Sequence, residues 1–161
     1  MFAAMTPTPR RTQLIAELAW VAFSLALAAL VVLPIYSTVP NFPFYLPNVV
    51  YVLVAVTLTR YLFLLRISWL RDRLYLQGAV MFLLVPLVFW MVQSFNAFII
   101  FFDERGPDVL VRALSRDSAR IMNRYMHAEY RFFGVWAVVA AVITPLRLLY
   151  NVWVRYRAGV R

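Results

Sequence analysis

Four long apolar runs constrain this chain more than anything else in it: Thr12 to about Tyr36, Pro47 to Arg66, Ala79 to Phe102 and Phe132 to Trp153. Crossing about 30 Å of hydrocarbon as a helix takes roughly 20 residues, and each run reaches that length. Composition agrees: 64% of residues are hydrophobic and only 14% are charged, against roughly 25% charged in a soluble domain. The pattern predicts an all-α, polytopic membrane protein, a single domain over 1–161 with four transmembrane helices at about 12–36, 47–66, 79–102 and 132–153. The start, MFAAMTPTPRR, resembles the basic lead of a secretory signal. The apolar run behind it is longer than a signal core of roughly 7–15 residues, so it is expected to stay in the mature protein.

One long stretch is too polar for hydrocarbon: Asp103 to Arg131. Gly106 and Pro107 end the preceding helix, and Asp108 offers a carboxylate to cap a new one. At 100° per residue Arg112, Arg116, Arg120 and Arg124 share one face, while Leu110, Leu114, Ile121, Met122 and Tyr125 centre on the opposite side. This predicts an amphipathic helix at about 108–128 lying on the membrane surface, with its guanidinium groups toward headgroups. A partner-docking helix and a solvated connector are the other readings.

Four crossings put both termini on one side. Arg10, Arg11, Arg66, Arg71, Arg73, Arg155, Arg157 and Arg161 would share that side, whereas the first connection, STVPNFPFYLP, is uncharged. The positive-inside rule makes it cytoplasmic, although the polar stretch leaves six arginines outside against eight inside. The expected location is a bacterial cytoplasmic membrane. The uncharged connection, with Pro40, Phe42, Pro43, Phe44, Tyr45 and Pro47, suits a stiff interfacial hairpin. Pro34, Pro86 and Pro145 should bend their helices locally.

Small residues allow close approach of helices in lipid. Two seams qualify: Ala19, Ala22, Ala26 and Ala29 on the first helix, and Ala137, Ala140, Thr144, Arg147 and Asn151 on the fourth. Both are expected to face the interior. Charged groups inside a crossing mark a site by default, and Glu17, Arg60 and Arg147 fall at one depth, roughly 7–13 Å from the inner interface. They suggest a carboxylate held between two guanidiniums, with Thr57, Thr144 and Asn151 supplying hydrogen bonds. Snorkelling of each group to the interface is the alternative. Gln93 and Asn96 form a second polar set, suited to hydrogen bonding between helices. The midplane between the two layers is aliphatic and aromatic, unlike the polar lining of a pore or carrier.

The net charge of +9 lies in short clusters at the ends of apolar runs, which fits topology and anionic lipid rather than nucleic acid. With no cysteine and one histidine, neither a thiolate site nor a multi-imidazole metal centre is expected, and no metal or other cofactor is implied. Hydrolase and phosphate-loop motifs are absent. His127 and Glu129, two apart on a helix, should point away from each other. A four-helix chain with a glutamate in its first helix is similar in architecture to the small multidrug carriers. Their glutamate lies near the midplane of glycine-rich helices, whereas Glu17 lies near one surface, so the likeness carries no function. The expectation is a non-catalytic membrane protein, an accessory, assembly or scaffold subunit touching lipids, a protein partner or further copies of itself. An oligomeric ion-coupled transporter using Glu17 and a lipid-modifying enzyme are the alternatives.

Overall fold

The computed structural model describes residues 10–65, 68–106 and 108–157. Met1 to Pro9, Arg66, Pro107 and Arg161 lie outside them. Four helices follow in order: α1 Arg10–Thr38, α2 Tyr45–Leu64, α3 Leu74–Arg105 and α4 Arg116–Arg157. Each is long and apolar enough to cross a membrane, and no strand occurs among the described residues. A short 3-10 turn, Trp69–Asp72, precedes α3. Pro34, Pro86 and Pro145 all sit inside helices that continue through them.

No separate amphipathic helix forms over 108–128. Residues 108–114 make successive turns instead, with Val111 N donating to Asp108 O at 3.1 Å and Leu114 N to Val111 O at 3.0 Å. Val111 is fully buried and anchors them. Asp108 does not cap a helix; its Oδ1 accepts from Asn123 Nδ2 at 3.4 Å. The cap is Ser115, whose Oγ accepts from Ser118 N at 3.4 Å. From Arg116 onward neither glycine nor proline appears before Gly134, so nothing interrupts the i to i+4 ladder. The polar stretch and the fourth crossing are one helix. At the end of α3, Gly106 takes φ +84°, a conformation that side chains with a Cβ resist. Its amide closes the helix on Phe102 O at 2.9 Å.

α2 packs chiefly on α4, with α1 against α2 and α3 against α4. The α2–α3–α4 junction is aromatic. The rings of Phe98 and Tyr130 stack at 3.9 Å, and Tyr51 meets Tyr130 edge-on at 5.1 Å. Buried hydroxyls need acceptors. Tyr51 Oη donates to Met91 O at 2.7 Å, a carbonyl of α3, and Trp136 Nε1 donates to Thr59 Oγ1 at 2.9 Å. The fourth-helix seam lies inward as expected, with Ala137, Ala140 and Thr144 buried. The first-helix seam does not: Ala19, Ala22, Ala26 and Ala29 are all exposed. α1 instead buries Ser24, Ala28, Val31 and Ile35, which share the face of Glu17 at 100° per residue. Placing the carboxylate inward outweighs close packing of alanines. The outer faces carry bare apolar side chains, among them Leu30, Phe63, Phe82 and Leu146, more than water tolerates and what lipid requires.

α4 approaches α3 closely at Gly134, where an added Cβ would stand 2.7 Å from the Phe95 ring. Gly134→Leu is therefore expected to destabilise the bundle by about 2 kcal/mol through overpacking, lowering the melting temperature in detergent. An unchanged melting temperature would show that the two helices do not meet there.

Candidate functional site

Polar chemistry collects at the two ends of the bundle. At the end formed by the carboxyl terminus of α2, Arg60 Nη1 donates to Glu17 Oε2 at 2.6 Å, and Ser68 Oγ donates to Glu17 Oε1 at 3.1 Å. Arg60 is 6% exposed and Glu17 19%. The guanidinium also lies 5.6 Å from the centroid of the Trp20 ring, on the first helix. Both carboxylate oxygens are thus engaged, and α1, α2 and the loop after α2 are joined at one point. Arg147, the third member of the expected cluster, lies at the same level, but its Nε donates to Leu62 O at 3.4 Å and its guanidinium lies 5.9 Å from the Tyr150 ring. Thr144 Oγ1 returns to Ala140 O of its own helix. Asn151 Nδ2 reaches Gln77 Oε1 at 3.2 Å, and Gln77 in turn donates to Leu70 O at 2.9 Å. This end is a set of ties between helix ends.

The other end holds a cavity of about 540 Å³ between the turns after α3 and the start of α4. Arg112, Arg116, Arg120 and Arg124 line it together with Asp108, Asn123 and His127. The sequence placed these four arginines on one helical face. In the fold three lie on α4 and Arg112 on the preceding turns, and all four still converge. Among the described residues none of the four forms an ion pair. Two further polar atoms in this region are buried without a partner, Asn123 Oδ1 and His127 Nε2. Gln93 and Asn96, by contrast, face outward from α3.

Sequence reasoning missed one buried pair. Asn48 Nδ2 donates to Glu129 Oε2 at 2.8 Å, joining α2 to α4. Asn48 is fully buried and Glu129 7% exposed. Asn48 Oδ1 and Glu129 Oε1 have no hydrogen-bond partner among the described residues. An asparagine at the start of an apolar run was the available signal, but nothing local linked it to a glutamate 81 residues away. His127 faces the cavity and Glu129 faces Asn48, so the two do not form one acid–base unit.

No family model, curated protein or solved structure matches this chain.

Two expectations follow. Removing one partner of a buried ion pair strands the other. Glu17→Ala should therefore cost about 3 kcal/mol, and Glu17→Ala/Arg60→Met should recover most of it; thermal unfolding in detergent reads both. At the second pair, a glutamine at 129 would present an amide donor to Asn48 Oδ1 and keep an acceptor for Asn48 Nδ2. Glu129→Gln is thus expected to stabilise by about 1 kcal/mol. Asn48→Asp, which sets acceptor against acceptor, should destabilise by more than that; a rise in melting temperature for Asn48→Asp would refute the pairing.

Proposed function

We propose that this is a non-catalytic multi-pass membrane protein, an accessory, assembly or scaffold subunit, that works through contacts made at its arginine-lined end. One observation carries the reading: four arginines without ion-pair partners among the described residues line a single open cavity. Guanidinium groups are matched in geometry to phosphate and carboxylate oxygens, which they take in pairs of parallel hydrogen bonds. Their partner is an anionic lipid headgroup or the acidic surface of another protein. The first sixteen residues of α4, Arg116–Arg131, serve the purpose of the expected surface helix: they raise the arginines to headgroup level while the same helix is fixed in the bundle below.

Contacts within the membrane plane fit the same role. The exposed alanine stripe of α1 permits close approach of another helix. Gln93 and Asn96, outward on α3, are better satisfied by a partner helix or a second copy than by acyl chains. With Arg11, Arg71, Arg73, Arg155 and Arg157 at the opposite end, both termini are cytoplasmic in a bacterial inner membrane and the cavity opens on the outer side. Glu17, held on both oxygens by Arg60 and Ser68, acts in this reading as a structural tie.

Replacing Arg112, Arg116, Arg120 and Arg124 together by glutamine is expected to leave the melting temperature within about 1 °C of the parent, since the side chains are exposed. It should abolish retention of anionic lipid and of acidic partners through purification, as read by native mass spectrometry. Retention equal to that of the parent would sink the proposal.

A further inference from the structure

We propose that the outward face of α3 is the contact surface for a second copy of this chain, in a parallel pair joined by Gln93 and Asn96 across a twofold axis. The proposal rests on the contacts in the membrane plane noted above and commits them to one partner and one geometry.

α3 has two faces. Gln77, Leu84, Met91 and Phe98, seven residues apart, are buried against the rest of the fold. On the other side Phe82, Pro86, Phe89, Gln93, Asn96 and Ile100, alternately four and three apart, are all exposed. Two helices crossing at about 20° mesh side chains at that spacing, in membranes as in water. The spacing alone names no partner, because the lipid-facing stripe of a packed helix has it too. The two amides make the difference. Counted at 1.5 Å per residue from Phe102, the last residue before the charged end of α3, Asn96 lies about 9 Å and Gln93 about 14 Å within the apolar span. Neither short side chain reaches the headgroups from there, and hydrocarbon offers an amide nothing to bond. Among the described residues neither amide has a hydrogen-bond partner. Gln77 on the inner face is the contrast: its Nε2 donates to Leu70 O and Arg71 O, both at 2.9 Å, and its Oε1 accepts from Asn151 Nδ2 at 3.2 Å.

The chemistry of the amide selects a second copy as the occupant. Each amide carries donors and an acceptor, so two identical amides brought face to face complete each other. A helix of another sequence would have to supply matched polar groups at both depths. Copies of one chain insert in one orientation, so the twofold axis lies along the membrane normal and the two α3 helices run parallel. In a parallel pair meshed on this row each residue meets its own counterpart, Gln93 with Gln93 and Asn96 with Asn96. A polar residue at such a position fixes register and the number of strands. Ala97, beside Asn96 and also exposed, leaves room for close approach. Asp103, next on the row, lies past Phe102, where water hydrates it.

The chain has no cysteine, so a single introduced thiol reports one position. Full-length protein carrying Phe89→Cys, Ile100→Cys, Leu30→Cys or Leu146→Cys is reconstituted in liposomes and treated with a short bis-maleimide; Leu30 and Leu146 mark exposed positions of α1 and α4. Cross-linked dimer is expected from Phe89→Cys and Ile100→Cys and not from the other two. Single-molecule photobleaching over a range of protein-to-lipid ratios measures dimerisation of the parent. Gln93→Leu/Asn96→Leu is expected to weaken it about a hundredfold, roughly tenfold for each amide pair lost. Leucine suits a lipid-facing position, and the cross-linking pattern needs no amide variant, so a folding defect in the double substitution does not obscure the result. Cross-links confined to Leu30→Cys place the copies on the alanine stripe of α1 and overturn the proposal. A parent that stays monomeric at every dilution overturns it too, as does a double variant that dimerises as tightly as the parent. Anionic lipid retained by the parent is counted in the same preparations. A monomer that keeps its lipid sinks this proposal alone, and a dimer that loses it sinks only the reading of the arginine-lined end.

Discussion

A helix of 42 residues is about 63 Å long, twice the thickness of the hydrocarbon it crosses. That surplus governs the functional end of the molecule. Because no breaker separates Arg116 from Phe132, the polar third of α4 cannot fold down on the membrane as an independent element. It stands as a rigid extension of a helix whose lower part is packed on α2 and α3. Tyr125 Oη adds a lateral stay, donating to Val31 O of α1 at 2.8 Å. Arg116, Arg120 and Arg124 therefore project from a fixed rod, and the cavity they line with Arg112 lies between the preceding turns and the same helix that holds the bundle together.

Inside the bundle the division of labour is sharp. Lipid supplies little drive for association, so packing and hydrogen bonds to backbone carbonyls hold the helices together. The stacked rings of Phe98 and Tyr130 and the hydroxyl of Tyr51 tie α3 and α4 to α2, and Asn48 with Glu129 ties α2 to α4 nearer the cavity. At the far end the pairing of Glu17 with Arg60 draws α1 in. Polar side chains thus act mainly where helices need a fixed register, while the middle is filled by Ala55, Met91, Ala137 and their neighbours.

The four crossings were legible in the sequence because hydrophobic length is a one-dimensional property. So was the convergence of the arginines, since a spacing of four survives whether the segment is a separate helix or part of a longer one. What the sequence hid was continuity. Asp108 after Gly106 looks like a helix start, and only the turns anchored by Val111 push the true cap to Ser115. The inward face of α1 was misjudged for a related reason: two signals, an alanine stripe and a glutamate, pointed to opposite sides, and the partner that decides between them is 43 residues away. The pairing of Asn48 with Glu129 was invisible in the same way, because it joins two helices whose relative rotation no local pattern reports.

α1 and α3 lie at the margins of the fold, each against one main neighbour. Apart from the alanine stripe of α1 and Gln93 and Asn96 of α3, their outward faces answer to solubility in acyl chains, a demand that leucine, valine, phenylalanine and isoleucine meet equally well. Substitution over evolutionary time is least constrained there and most constrained along the facing surfaces of α2 and α4. Descendants of a common ancestor would keep Asn48, Tyr51, Tyr130 and Gly134 in register long after the rest had drifted, and a search weighted to those positions is better placed to detect distant kin than one that weighs every apolar residue alike.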